Sequence, residues 1–357
     1  MTARAQLEIV EAAYRLEQSD DDWLRGIAEA CLPSLDRGLG LCAFEFRHTP
    51  EGAPQILAGK TLAMPDELAA AYPRVFASLS PDVQARPFRH GPCTTASRMM
   101  GGANRLGRHH VMQQNTEAFG IRDAIWVTAA EPSGWGCGLH AARTKVVSLS
   151  NHEIAQWSRI AAHLGAAARL RRRLARAPGS DVPELPEAEA VFSPDGRLEH
   201  AQGEAGEPTA QESLRQAVLG IERVRHKPDI GDRPGMERWQ GLVDARWSLV
   251  DHFEANGKRY VVARENKPEP PGAAALTLRE RQVVAYAALG HDNKVIAYDL
   301  GIAHSTVRVL LARAAAKFGV GDREQLIQAF EHSQQTTFPG QQAVPCLDDA
   351  SSHSHDA

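Results

Sequence analysis

The stretch NKVIAYDLGIAHSTVRVLLARAAAKFG, residues 293–319, has the pattern of two helices joined at a glycine. Apolar residues recur at helical spacing on both sides of Gly301. Because glycine adopts a positive φ at little steric cost, one helix can end at Gly301 and the next can begin soon afterwards. Ile302, directly after the glycine, is predicted to pack into the core. Such a pair of helices either fills a core or presents its second helix outward.

The outer face of the second helix favours presentation. One stripe is apolar and is predicted to pack against neighbouring helices, namely Val307, Leu310, Leu311, Ala314 and Phe318. The opposite side carries only neutral and basic residues, namely Ser305, Arg308, Val309, Ala312 and, at the margin, Arg313. The small side chain of Ala312 keeps the helix slim. A slim, basic and well-anchored helix can enter a DNA major groove, which is about 12 Å wide.

Flanking signals extend these two helices to a unit of four, over residues 276–334. Thr277 and Glu280 form a capping box that predicts a helix running to about Leu289. Asp322 is predicted to cap a fourth helix, whose apolar stripe consists of Leu326, Ile327 and Phe330. The alternative is a small helical bundle that serves protein contact.

Five short patterns in this unit agree with a known family in order and spacing. They are L-T-x-R-E at 276–280, N-K-x-I-A at 293–297, L-G-I-A at 300–303, S-T-V-R at 305–308 and K-F-G-V at 317–320. Together they resemble the LuxR-type (GerE) helix-turn-helix. The resemblance covers about a sixth of the chain and implies a four-helix DNA-binding domain of a bacterial transcription regulator.

The resemblance assigns roles to individual residues. It implies that Lys294 and Thr306 contact phosphates and that Asn293 caps or orients the second helix. Arg308 and Val309 would face base edges, with Arg308 reading guanine. The full predicted DNA-binding set is Lys294, Ser305, Thr306, Arg308, Val309, Ala312 and Arg313, and the structural set is Thr277, Glu280, Asn293, Gly301 and Ile302.

The sequence departs from the family pattern at three positions. Ala303 stands where the family often has serine, which weakens capping of the recognition helix. Leu310 stands where it often has histidine. Ala312 replaces a lysine or another polar residue, which removes one contact to a base or a phosphate.

Two proline-rich segments divide the rest of the chain. Residues 177–190 and 265–275 contain too many prolines to continue a helix and are predicted linkers. They separate a first unit, 1–176, and a middle unit, 191–264, from the helical unit. Residues 335–357 have few apolar side chains and no period, so a disordered tail is predicted.

The first unit has an order of helix, strand, variable middle, strand hairpin and long exit helix. Residues 122–144 have the pattern of two strands and a turn, and Ser150 with Glu153 predicts the cap of the exit helix. This order resembles GAF-type sensor domains. It also resembles the autoinducer-binding domains of the LuxR family, for whose tyrosine and aspartate Tyr72 and Asp82 are candidates.

The middle unit is similar to a shortened PAS domain. Its Asn256-Gly257 pair between two apolar runs predicts a hairpin. The predicted fold class is therefore α+β multidomain. An α/β/α GAF-like sensor and a PAS-like domain precede an all-α, four-helix LuxR-type domain.

Aromatic and sulfur side chains on predicted strands and loops of the first unit are candidates for a ligand site. They are Phe44, Phe46, Trp126, Trp135, Met99 and Met100. Such a lining suits a small, mainly apolar ligand. Filling of the core is an equally valid interpretation of these residues.

Two further stretches invite a functional hypothesis. Residues 86–110 contain Cys93 and several histidines without a geometry that defines a metal or haem site, and an ordinary loop or polar lid is the preferred interpretation. The arginine-rich run 169–176 could bind nucleic acid, but a solvated helix end is preferred.

Composition excludes several classes. The net charge of −4 argues against a surface that binds DNA all over, although it permits a local module. The five scattered cysteines indicate reduced thiols, and the chain has no apolar run long enough for a membrane span. No catalytic set with local support is present, so no enzyme activity, metal or cofactor is predicted.

The sequence thus predicts a cytoplasmic regulator that binds double-stranded DNA as a homodimer, with a small-molecule ligand and RNA polymerase as further partners. For dimerisation it offers two apolar stripes, 154–168 and 324–330. One alternative is a protein-binding adaptor whose helix-turn-helix has lost DNA affinity. Another is a redox enzyme that uses Cys93.

Overall fold

The computed structural model describes residues 1–48, 54–176, 188–226, 242–243, 247–255, 258–265 and 276–337. The helices within these ranges are α1 (Ala3–Ala13), α2 (Asp20–Leu35), α3 (Asp66–Ala77), α4 (Pro81–Ala85), α5 (Ala96–Met99), α6 (Ala103–Gly107), α7 (His110–Phe119), α8 (Asn151–Arg176), α9 (Pro208–His226), α10 (Leu278–Ala288), α11 (Asn293–Leu300), α12 (His304–Phe318) and α13 (Arg323–Thr337).

The strands form two separate antiparallel sheets. Those of the first sheet are β1 (Leu41–His48), β2 (Pro54–Leu62), β3 (Cys93–Thr95), β4 (Asp123–Ala130) and β5 (Trp135–Arg143). Those of the second are β6 (Ala188–Phe192), β7 (Leu198–Ala201), β8 (Leu242–Val243), β9 (Trp247–Ala255) and β10 (Lys258–Glu265).

The first sheet has the strand order β2-β1-β5-β4-β3 and helices on both faces. Alternation along β1 sends Leu41 and Ala43 into a core shared with α1, α2 and α8. Cys42, Phe44 and Phe46 point to the other face, where they meet residues of α3 to α5. The predicted α/β/α architecture is therefore confirmed.

The exit helix α8 begins where the sequence predicted. The backbone N–H of Ser150 donates to Glu153 Oε2 at 2.9 Å, and the N–H of Glu153 donates to Ser150 Oγ at 3.2 Å. Such a reciprocal pair satisfies two backbone donors that a helix start leaves without an intrahelical partner.

The second sheet repeats the strand order of the first. Its order β7-β6-β10-β9-β8 becomes that of the first sheet when the strands are counted from the start of each unit. The helix α9 covers one face with Leu214, Val218 and Ile221. The predicted turn at residues 256–257 lies outside the described residues, but the flanking strands pair antiparallel as a hairpin requires.

The two sheets share the first helix. From α1, Ile9 and Ala13 enter the core of the first unit, whereas Leu7 and Val10 enter the core of the second. All four side chains are buried. The first and middle units are therefore joined by a common helix as well as by the chain.

Three sequence expectations differ from the structure. The strand β6 begins at Ala188, inside the predicted linker 177–190, and α13 runs to Thr337, inside the predicted tail 335–357. The segment 86–110 is more than a loop, since it contains β3, α5 and α6. The elements β3, α5 and α6 are too short to show a hydrophobic period in the sequence.

Close packing inside the first sheet gives a test of the fold. A Cβ added at Gly136 would lie 2.4 Å from Phe46 Cζ and 2.5 Å from the carbonyl oxygen of Ala129. Gly136→Ala is expected to lower the free energy of unfolding by about 1–3 kcal/mol, because a packed ring and a backbone atom must move. Urea denaturation measures the change.

Gly59→Ala is the matched control, because the nearest neighbour of a Cβ there is the carbonyl oxygen of Ala43, at 3.8 Å. It is expected to stay within about 0.5 kcal/mol of the unchanged protein. Equal effects of the two substitutions would contradict the packing described here.

Candidate nucleic-acid interface

The helices α11 and α12 form the bent pair that the sequence predicted. Their axes are bent by 105°, within the roughly 90–120° of a helix-turn-helix. Gly301 ends α11 with a φ of 61°, and the N–H of Ile302 donates to the carbonyl of Ala297 at 2.9 Å. This left-handed cap turns the chain at once into the second helix.

The outward residues of α12 are all available to a partner. Ser305, Thr306, Arg308, Val309, Ala312 and Arg313 are exposed, and so is Lys294 at the start of α11. Val309 is 48% exposed, so its apolar side chain is accessible from solvent. On the inner side Val307 and Ala314 are fully buried. The helix is thus anchored by one face and free on the other.

The frame around α12 is set by ionic and capping contacts. Thr277 and Glu280 form the predicted capping box at the start of α10. The Nζ of Lys317, on α12, lies 2.6 Å from Glu280 Oε2. Burial by itself raises the pKa of Glu280, but the hydrogen bonds from Lys317 and Thr277, together with the charge of Lys317, outweigh it and hold the pKa below its ordinary value.

Asn293 was expected to cap or to orient α11, and of these two roles the cap is wrong. The cap is Asp292, whose Oδ1 accepts from the backbone N–H of Lys294 at 2.8 Å and of Val295 at 2.9 Å. Asn293 instead accepts a hydrogen bond from Arg323 of α13, so it orients α11 through a neighbouring helix. Ala303 gives α12 no side-chain cap, as its departure from the family pattern implied.

The helix-turn-helix unit, residues 276–337, is docked on the first unit through a buried histidine. His163 of α8 is 1% exposed. Its Nε2 lies 2.8 Å from the hydroxyl of Tyr298, on α11, and its Nδ1 lies 3.4 Å from that of Tyr14. A neutral imidazole has one donor and one acceptor, so one tyrosine donates to the ring and the other accepts.

A buried arginine makes a second connection. Arg169 of α8 forms a two-point ion pair with Glu131, at the end of the β4–β5 hairpin, and its Nη2 lies 3.3 Å from the hydroxyl of Tyr286 on α10. Arg171 is also buried and donates to the carbonyls of Leu16 and Gln18. The expectation of a solvated helix end at 169–176 is therefore wrong for these residues.

The two units also meet along their backbones. A Cβ added at Gly290, after α10, would lie 2.6 Å from the carbonyl oxygen of Arg89 and 2.8 Å from the nitrogen of Gly91. No side chain fits at this approach. Leu289, next to it, packs against the aromatic core that contains Phe88.

A cavity of about 120 Å³ lies on the outer face of the first sheet. Its walls are mostly apolar side chains of α3 to α7, and Tyr72, Asn115 and His140 are among its polar members. Burial lowers the pKa of His140 to about 3, so the ring is neutral. Its Nδ1 is buried without a hydrogen-bond partner among the described residues.

The predicted ligand residues divide between this cavity and the core. Trp126, Met99 and Met100 line the cavity, and Phe44 lines an adjoining space of about 510 Å³ that also reaches Trp126. Phe46 is instead fully buried against Phe88, with ring centroids 4.4 Å apart. Trp135 lies beneath the guanidinium groups of Arg47 and Arg172. The cavity residues Tyr72 and His140 belong to no motif, although Tyr72 was a candidate by resemblance.

Other candidate sites are weaker. Burial raises the pKa of Cys93 to about 12, which keeps its sulfur protonated and weakens the redox alternative. Asp82 is exposed and pairs with Arg86 at 2.7 Å. Within the described part of the chain, no cluster of His, Cys, Asp and Glu side chains could hold a metal ion.

The two stripes offered for dimerisation are used inside the chain. Trp157, Ile160 and Leu164 of α8 belong to the core of the first unit, and Leu326 and Phe330 of α13 to that of the helix-turn-helix unit. These five side chains are buried and are therefore not available to a second copy. Within the described ranges, no single helix combines the length and the apolar character needed to cross a membrane. The helices α11 and α12 reach that length only when they are taken together across their 105° bend.

Residues 274–330 match the family of bacterial regulatory proteins, luxR family, known as GerE. The HTH-type transcriptional regulator MalT of Vibrio cholerae serotype O1 is 26% identical over 117 residues, which are 31% of this chain and 13% of MalT. The chain thus spans a small part of that relative. The helical unit is a LuxR-type helix-turn-helix domain, which confirms the resemblance.

Among solved structures, the GAF3 domain from Synechocystis is 18% identical with a TM-score of 0.33, over 44% of this chain and 97% of that one. SdiA of Escherichia coli is 12% identical with a TM-score of 0.29, over 94% of this chain and 98% of SdiA. TM-scores of this size are too low to define a common fold.

The docking histidine makes stability depend on pH. Burial lowers the pKa of His163 to about 4 in the folded chain, whereas an unfolded histidine has a pKa of about 6.5. Between these two pH values the unfolded state binds a proton that the folded state does not. The contribution of neutral His163 to the free energy of unfolding is therefore complete above about pH 6.5 and declines as the pH falls. By about pH 4 the free energy of unfolding is lower by about 3 kcal/mol from this cause.

His163→Gln should remove this component, and its free energy of unfolding should fall less between neutral and acidic pH. Urea denaturation across that range measures the slope. His110→Gln, at an exposed position, is the control and should keep the original slope. If both variants and the unchanged protein had the same slope, His163 would not be held neutral by burial.

Proposed function

We propose that this protein is a sequence-specific DNA-binding transcription regulator of the LuxR type, controlled by a small molecule in its first unit. The observation that carries the proposal is the outer face of α12. It presents Arg308, Val309 and Arg313 to solvent while Val307 and Ala314 anchor the helix from behind. A helix held in this way can lie in a major groove with its side chains against base edges.

Recognition would divide between the two helices. Lys294, at the exposed start of α11, lies where the first helix of such a motif crosses the phosphate backbone. Arg308 can offer two parallel N–H groups to O6 and N7 of a guanine, which gives base discrimination. Ser305, Thr306 and Ala312 complete the contact surface. Binding as a homodimer, and contact with RNA polymerase in the cytoplasm, are further parts of the proposal.

Control would reach the DNA-binding unit through the first unit. The apolar cavity is lined in part by the segment 86–110, whose residues Arg89 and Gly91 touch Gly290 beside α10. A ligand that changed the position of this segment would change the docking of the helix-turn-helix unit. Such a ligand shifts DNA binding only by its difference in affinity for the two arrangements.

Arg308→Ala should cost about 1–3 kcal/mol at the preferred sequence and relax base preference at one position, because a bidentate base contact is lost. Lys294→Ala should weaken binding to all sequences alike and reduce the salt dependence by about one unit. Fluorescence anisotropy with an enriched sequence and with random duplex measures both. Arg4→Ala, on the exposed side of α1, is the control of equal charge.

Equal loss of affinity for enriched and random DNA in Arg308→Ala would contradict base reading. A chain that retained no duplex at low salt would contradict the proposed function and favour a protein-binding adaptor.

The cavity hypothesis has its own test. Ala96, at the start of α5, is half-buried and lines the cavity. Ala96→Leu adds three carbon atoms to a space of about 120 Å³, so it should weaken binding of an apolar fluorescent dye by about tenfold or more. Ala103→Leu, exposed on α6, should bind the dye as the unchanged protein does. Equal dye affinity in both variants would show that the cavity does not accept apolar molecules.

A further inference from the structure

A second basic surface lies beside the predicted DNA-binding residues. Between α8 and the helix-turn-helix unit is an open cleft of about 1000 Å³. One wall is the side of α8 that carries Asn151, Ala155 and Arg159, together with Arg98 of α5. The other is formed by the starts of α11, α12 and α13, with Lys294 and His304 among its residues.

The charged residues that line this cleft are mostly basic. Arg98 and Arg159 come from the first unit, and Lys294 and Arg323 come from the helix-turn-helix unit. Among the described residues that line it, Asp292 alone is acidic, and its carboxylate is occupied in capping α11. Opposite charge, in the form of phosphate groups, is what such a lining attracts.

The position of the cleft identifies which phosphates these are. In a helix-turn-helix complex the recognition helix lies in the major groove while the helix before it crosses the sugar-phosphate backbone. The cleft contains the start of that preceding helix, at Lys294, and the first residue of the recognition helix, His304. A backbone strand that contacts Lys294 therefore passes the mouth of the cleft.

We propose that the first unit takes part in DNA binding directly, with Arg98 and Arg159 contacting phosphates of the strand that Lys294 contacts. The inference rests on the proposed DNA-binding function and extends the interface from one domain to two. Arg98 is exposed and Arg159 is half-buried, with its guanidinium 5.9 Å from the centre of the Tyr298 ring. Both arginines line the cleft because the helix-turn-helix unit is docked on the first unit. DNA affinity would therefore depend on this docking.

The test is the salt dependence of DNA binding by the full chain. Each phosphate contact contributes about 0.9 to the slope of log K against log salt concentration. Arg98→Gln should therefore lower the slope by about one unit, and Arg98→Gln with Arg159→Gln by about two. Base preference should stay unchanged, because phosphate contacts carry no sequence information.

Three controls sharpen the result. Arg98→Lys and Arg159→Lys keep the charge and should keep the slope. Arg215→Ala, on α9 outside the cleft, should also keep it. Arg98→Gln is the decisive variant, since the contact of Arg159 with Tyr298 gives the second arginine a structural role as well.

An unchanged slope in Arg98→Gln would overturn the inference, even if Arg159→Gln alone weakened binding, because that pattern indicates a docking effect. The proposed function would survive this result as long as Arg308→Ala still relaxed base preference. Competition by inorganic phosphate at constant ionic strength, with no change of slope in either variant, would instead indicate a small-anion site and would also overturn the inference.

Discussion

A charged guanidinium inside a protein must be paired, and the pairing of Arg169 organises the junction of this molecule. Arg169 lies on α8 and bonds to Glu131 of the β4–β5 hairpin and to Tyr286 of α10, so it connects three elements. Removing one member of such a pair costs about 3–5 kcal/mol, because the remaining charge is left without compensation. The arginine therefore makes the position of the helix-turn-helix unit depend on the sheet of the first unit.

This junction links the candidate ligand cavity to the candidate DNA surface by short steps. The cavity borders the segment 86–110, that segment touches Gly290, and α10 and α11 hold Tyr286 and Tyr298 against α8. Cores of this density shift between discrete arrangements more readily than they deform continuously. Since α12 is exposed in the docked arrangement, the proposed regulation would act on how the two units are placed relative to the DNA.

Local signals predicted the helix-turn-helix unit almost residue by residue. The capping box at Thr277, the glycine at 301 and the aspartate at 322 each act on residues within one helical turn. Each of these capping signals can therefore be recognised from a short stretch of sequence. Misassignments were local as well, since Asp292 and Asn293 are adjacent and both can cap. The sites between units left no such signal. Arg169 and Tyr286 are 117 positions apart and His163 and Tyr298 are 135 apart, and nothing in their spacing pairs them.

The same limit explains the arginine run and the cavity. A basic stretch at a helix end is usually solvated, and only the fold shows that Arg171 turns inward to the backbone of Leu16 and Gln18. Aromatic residues on strands point to one face or the other, but whether they enclose space depends on the helices above them. Trp126 and Phe46 lie on the same face, and only the tryptophan reaches the cavity.

The sharing of α1 between two cores has a consequence for synthesis on the ribosome. Leu7 and Val10 are made some 250 residues before Val261 and Ala263, with which they are buried. At translation rates of about 5–20 residues per second, Leu7 and Val10 are exposed for more than about ten seconds before Val261 and Ala263 are made. During that interval the nascent chain exposes an apolar helix face. We therefore expect that chaperones which bind short apolar segments near the ribosomal tunnel exit associate with this chain during synthesis.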